Sequence, residues 1–107
     1  MKSYTDISQS IVLAEFLPLE SADAHYWCKD GDDLRLGGGF SIDKDLDIPA
    51  WSTSALLEII RNNGRYELQM YEGGYYFEAN GFMTESYFNP IDACYEMILK
   101  LHEQKLL

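Results

Sequence analysis

Apolar and polar positions alternate most cleanly between Arg65 and Glu72, where Tyr66, Leu68 and Met70 fall on one side and Arg65, Glu67, Gln69 and Tyr71 on the other. A period of two over this length predicts a half-buried strand. Gly73-Gly74 follows, and glycine accepts the positive φ angles of a tight hairpin turn. A turn centred there sets Met70 opposite Phe77 and Leu68 opposite Ala79, with Tyr71 facing Tyr76 and Gln69 facing Glu78. A one-residue slip would carry the apolar side chains to the polar side, so the sorting of the two faces is strongly specified. Asn80-Gly81 offers a second tight turn, leading to a third strand over 82–87.

Elsewhere the spacing is helical. Thr5 or Asp6 stands where a helix cap belongs, and Gln9 three residues after Asp6 completes a capping-box pattern. Ile7, Ile11 and Ala14 form a stripe that Val12, Leu13, Phe16 and Leu17 widen, so this helix is expected to be buried on more than one side until Pro18 stops it. A second helix starts at Ser52 or Thr53, lays Leu56, Ile59, Ile60 and Asn63 on one face, and ends at Asn62-Asn63-Gly64. Asn89-Pro90 opens a third, with asparagine as cap and proline in the first turn. Its inner stripe is Ile91, Cys94, Tyr95, Ile98 and Leu101, and its outer one Asp92, Glu96, Lys100 and Glu103.

Between the first two helices, 25–29 reads as an aromatic strand, Asp30-Gly31 as a hairpin turn and 33–36 as the returning strand. Gly37-Gly38-Gly39 is expected to end regular structure, leaving an acidic, irregular stretch up to Pro49. These elements predict one α+β domain over 1–107. Its antiparallel sheet is a three-stranded C-terminal meander plus an N-terminal hairpin, with about three helices packed mostly on one face.

The chain has 107 residues, 47% of them hydrophobic, which suits one folded core rather than disorder. Its longest apolar run, 11–17, is broken by Glu15 and falls far short of the ~20 residues of a membrane span. With no basic, apolar and small-residue leader pattern, the expected location is the cytoplasm and no membrane partner is expected. The two cysteines, Cys28 and Cys94, read as buried free thiols. The formal net charge of −10 is unevenly placed: 20–47 carries eight acids and three bases, and 66–99 carries six acids with no lysine or arginine. Such a field repels phosphate backbones, so no direct nucleic-acid binding is expected, and a basic protein is the partner it suits.

Candidate chemistry is sparse. Asp43-x-Asp45-x-Asp47 resembles the opening of a calcium loop, but Ile48 occupies the glycine position and Ser54 that of the bidentate glutamate. His25, Cys28, Cys94 and His102 are zinc-ligand types, yet Cys94 and His102 stand eight residues apart on one helix, about 12 Å along its axis, too far to share an ion. The triple glycine lacks the lysine and hydroxyl residue of a phosphate loop, and neither a nucleophile elbow nor a triad pattern is present. No catalytic residue, metal ligand or cofactor is therefore assigned.

The tyrosines carry the best lead. In the expected register Tyr71 and Tyr76 lie together on the polar side, rimmed by Glu67, Gln69 and Glu78. They are either covered by a second layer, such as the first helix or the Trp27 strand, or exposed as an interaction patch, for which tyrosine supplies large area with few rotors to freeze. Trp51, beside Pro49, is expected to anchor the core.

Two segments, Ile48-Pro-Ala-Trp-Ser-Thr-Ser-Ala-Leu-Leu-Glu-Ile-Ile60 and Asn89-Pro-Ile-Asp-Ala-Cys-Tyr-Glu-Met-Ile-Leu-Lys-Leu-His-Glu103, together resemble short uncharacterised proteins of prophages and mobile elements in gut bacteria. The likeness covers about the C-terminal two-thirds, with Pro-Ala-Trp-Ser and Asp-Ala-Cys-Tyr-Glu-Met as its most specific pieces, and implies a genomic setting but no activity. The function expected from all this is that of a non-catalytic acidic accessory protein binding another protein, a phage or mobile-element modulator of a basic partner. The alternatives are a small-ligand binder or enzyme with a pocket under the 37–49 loop, and a homodimer formed through the surplus apolar face of the first helix.

Overall fold

Asp6 starts the first helix, α1 (Ile7–Ala14), with both halves of the capping box. Its carboxylate accepts from the Gln9 amide at 2.8 Å, and its own N–H donates to Gln9 Oε1 at 3.1 Å. Gln9 Nε2 then donates 2.8 Å to Asp92 Oδ1, joining the start of α1 to the start of the last helix. The computed structural model describes residues 3–29, 33–38, 48–79 and 82–107. The Asp30-Gly31 turn, the Asp43-Asp45-Asp47 pattern and the Asn80-Gly81 turn lie outside them.

The buried side of α1 is Ser10 and Leu13, continued by Leu17, and not the Ile7-Ile11-Ala14 stripe. Ile7 and Ile11 are 36% and 50% exposed. The expected burial on several sides is not found: Leu13 and Leu17 supply the apolar contact, and a polar residue, Ser10, fills the rest of the buried side. The hydroxyls of Ser10 and Thr5, both fully buried, bond each other at 2.8 Å. Trp51 N–H donates to Thr5 Oγ1 at 3.1 Å, the Thr5 N–H donates to Trp51 O at 2.9 Å, and Tyr26 donates its hydroxyl to Thr5 O at 2.7 Å. Every buried polar atom in this knot has a partner, which is the condition for tolerating it inside a core.

Strand β1 (Ala24–Lys29) pairs antiparallel with β2 (Asp33–Gly38) on one side and β3 (Ile48–Ala50) on the other. Gly37 and Gly38 do not end the strand as expected: they pair with His25 and Ala24, since the ladder needs only backbone donors and acceptors. β3 has no counterpart among the expected elements. It is three residues long and contains Pro49, tolerated at a sheet edge where a missing N–H breaks no ladder bond. Trp51 leads from β3 into α2 (Thr53–Arg61) and is fully buried as expected, its indole N–H donating to Ser21 Oγ at 3.0 Å. Ser52 caps α2 by accepting from the Ala55 amide, while Asp23 accepts from both the N–H and the hydroxyl of Ser52.

The second sheet is β4 (Glu67–Tyr71), β5 (Gly74–Ala79) and the two-residue β6 (Phe82–Met83). The β4–β5 turn sits one position earlier than expected, on Glu72 (φ 50°) and Gly73 (φ 78°), two successive left-handed residues as a type I′ turn requires. Leu68 therefore faces Phe77, Gln69 faces Tyr76, Met70 faces Tyr75 and Tyr71 faces Gly74. This register differs from the expected one by two residues, so every side chain keeps its face while its partner changes. The slip sets Leu68 beside fully buried Phe77. It also lays Gly74 where a Cβ would stand 2.8 Å from Ser86 Oγ. The strand expected over 82–87 contracts to β6 and an isolated bridge between Tyr75 and Tyr87.

The last helix, α3 (Pro90–Glu103), takes Asn89 as cap, its side chain accepting from the Asp92 amide at 2.9 Å. α3 packs against α2 and β5, and α1 against β3. The secondary structure is thus α+β with three helices among the described residues, the antiparallel strands divided between two sheets rather than gathered in one. The core is Leu13, Leu17, Trp51, Leu56, Ile60 and Phe77 around the inner face of α3, where Ile91, Cys94, Ile98 and Leu101 are buried as expected and Met97 joins them. Tyr95 of the expected stripe is half-buried. Among the described residues no helix is long and apolar enough to cross a membrane.

Candidate functional site

One face of the β4–β5 hairpin turns Leu68, Tyr75 and Phe77 to the core, so the other carries Glu67, Gln69, Tyr71, Tyr76 and Glu78. These are the five residues that the alternation of the chain brings together. Tyr71 is 67% exposed, Glu67 and Glu78 are exposed, and Gln69 and Tyr76 are half-buried. Tyr71 does not face Tyr76 directly as expected: Tyr76 faces Gln69, and Tyr71 lies diagonally from it, within reach for long side chains. Glu67 and Glu78 stand directly opposite each other, an arrangement in which like charges weaken a sheet. Gln69 Nε2 donates to Glu67 Oε2 at 3.2 Å, and Arg65, two residues before Glu67, is the nearest base along the chain.

At the hairpin tip this face runs into a cleft that the alternation alone does not reveal. Its origin is a local change of register beyond β6. Thr84 N–H donates to Phe77 O at 3.0 Å, and its hydroxyl accepts from Phe77 N–H at 2.8 Å. Tyr75 and Tyr87 then exchange backbone bonds of 2.8 and 2.9 Å. Between these contacts β5 has only Tyr76, whereas the other segment has both Glu85 and Ser86, the two-against-one count of a β-bulge. The extra residue lays Ser86 against Gly74 and leaves Phe88 92% exposed. The resulting cleft, about 360 Å³, has Tyr71, Glu72, Gly73 and Gly74 on one side and Ser86, Tyr87 and Phe88 on the other. Met70, near the tip but on the other face, and Met83, opposite Glu78 at the far end of β5, are exposed at 67% and 66%.

Glu72 brings a carboxylate to the lining of the cleft. Burial, and then the carboxylates of Glu96, Glu85 and Asp92, hold the Tyr87 hydroxyl above its ordinary pKa. The sequence signal for this site is the adjacent pair Tyr87-Phe88 just ahead of the Asn89-Pro90 cap, of which Tyr87 packs on the core and Phe88 is left exposed.

The residues of zinc-ligand type are placed apart in role. Cys94 is fully buried among apolar side chains, and burial pushes its thiol up to about 12. His102 is exposed, stacked on Phe16 with ring centroids 3.9 Å apart, its Nδ1 3.0 Å from Leu107 O. His25 lies on β1 between Gly37 and Pro49, and its Nδ1 is buried without a hydrogen-bond partner among the described residues. Among the described residues no group of three histidine, cysteine or acidic side chains is arranged to hold a metal ion. The ligand pocket considered beneath 37–49 falls largely on 39–47, outside the described residues.

No family model matches the chain, and no curated protein and no solved structure is detectably similar to it.

Proposed function

We propose that this chain is a small non-catalytic, acidic accessory protein that binds a basic protein through the outward face of the β4–β5 hairpin. The observation that carries the reading is the pairing of an exposed tyrosine with two directly opposed acids. Tyr71 is 67% exposed beside Tyr76, with Glu67 and Glu78 opposed across the strands. Placing like charges opposite each other opposes folding, and a cationic partner would relieve it. The resemblance to mobile-element proteins fits a modulator that acts on a host or element factor, and a nucleic-acid-binding protein is a common kind of basic factor. The alternative of self-association through α1 rests on exposed Ile7 and Ile11, and light scattering that finds only monomer at high concentration would remove it.

The test is capture of partners by immobilised protein, comparing wild type with Tyr71→Ala/Tyr76→Ala shown by circular dichroism to remain folded. The reading expects a basic protein retained by wild type and weakened on the order of 30-fold or more in the variant, as for tyrosines at the centre of an interface. A partner held equally by both would place the contact elsewhere and refute the assigned face.

A further inference from the structure

Resting on that reading, we propose that the cleft between the β4–β5 turn and the Ser86–Phe88 segment seats a single cationic side chain, lysine or arginine, of the basic partner. Tyr71 and Phe88 line the cleft with Glu72 of the turn, while Tyr87, opposite Tyr75, lines it from behind with its side chain packed on the core. Aromatic faces attract ammonium and guanidinium groups through the ring quadrupole, and a nearby carboxylate adds a charge-assisted hydrogen bond. The volume, about 360 Å³, is ample for one long side chain.

Two further observations point to a cation rather than a neutral or anionic group. Glu72 brings a carboxylate to the cleft lining itself, and behind it the Tyr87 hydroxyl is raised by burial and then by Glu96, Glu85 and Asp92. Phe88 is 92% exposed immediately before a helix cap, so the core gains nothing from it there, whereas a cation over its face would use it. Gly74 permits the close approach of Ser86 that forms the floor, since a Cβ there would come within 2.8 Å of Ser86 Oγ. Tyr71 belongs both to the cleft and to the outward face, so a partner lying on the face would reach the cleft with one residue.

Titration of isotope-labelled protein with N-acetyl-argininamide and with N-acetyl-lysinamide, followed by amide NMR, tests the site directly. The expected result is saturable shifts centred on Gly73, Gly74, Ser86 and Phe88 with at least one of the two probes, and none with the neutral isostere N-acetyl-citrullinamide. Phe88→Ala, at a position too exposed to unfold the chain, should weaken the probe by about two- to five-fold, the share of one exposed cation–aromatic contact. Neither cationic probe shifting these amides, or citrulline shifting them equally, would overturn the proposal. The two readings fail separately. A captured protein lost in Tyr71→Ala/Tyr76→Ala but bound normally by Phe88→Ala refutes the cleft and leaves the face. Saturable probe binding at the cleft, with a captured protein held equally by wild type and Tyr71→Ala/Tyr76→Ala, refutes the face and leaves the cleft as a cation site.

Discussion

At the scale of single residues, Cys94 shows how burial changes chemistry. The thiol lies in the core against α3's neighbours, where a thiolate would lose its hydration, and its pKa rises from 9.0 to about 12. In the unfolded chain the same thiol loses its proton near its ordinary value. Between those two limits the unfolded state therefore binds fewer protons than the folded one, and stability falls as pH rises. Urea unfolding from pH 8 to 11 should show this decline, and in Cys94→Ala the slope should flatten even though the variant is less stable overall. Tyr87 and Tyr95, also raised by burial and by neighbouring carboxylates, leave a residual decline at the upper end. An unchanged slope in Cys94→Ala would mean that the thiol is hydrated in the native state. The burial of Cys94 is readable from helical spacing, because its neighbours three and four positions away are apolar. The turn at Glu72-Gly73 is not. Gly73-Gly74 is the better turn by local propensity, but Gly74 is needed under Ser86, a contact between segments that a local pattern does not encode.

At the scale of elements, the helices were legible because their caps and stripes are local. Asp6 with Gln9, Ser52 and Asn89 each cap the helix expected of them. What the chain does not disclose is how the elements meet. The link from Gln9 to Asp92 spans 83 positions, and the orientation of α1 is set by the Thr5–Ser10–Trp51 knot instead of by its apolar stripe. Thr5→Val keeps the shape but strands the Trp51 N–H and the Ser10 hydroxyl in the core. Leaving such groups unpaired costs about 1–3 kcal/mol each when buried, so the variant should lose on the order of 2 kcal/mol in denaturant titration. A loss below ~0.5 kcal/mol would show that α1 is held by Leu13 and Leu17 alone. The bulge at Glu85–Ser86 was likewise out of reach: it depends on Thr84 taking the place of a backbone acceptor for Phe77, which no alternation predicts.

At the scale of the whole molecule, the charge is the feature that the fold organises. The net charge of −10 is visible in composition, and the run without bases from 66 to 99 is visible along the chain. The register turns that run into a surface, with Glu67 against Glu78 and Tyr71 at the border between face and cleft. The most direct measurement of the central claim is the salt dependence of affinity for the captured basic partner, in wild type and in Glu67→Gln/Glu78→Gln. Removing two opposed carboxylates should leave the fold at least as stable, since like charges across a strand pair weaken it by a few tenths of a kcal/mol to about 1 kcal/mol. It should also weaken binding at low salt and flatten the dependence of Kd on ionic strength, because exposed charges act within a Debye length of about 10 Å at 0.1 M. A variant with the same affinity and the same salt dependence as wild type would contradict the account, placing the partner on another surface.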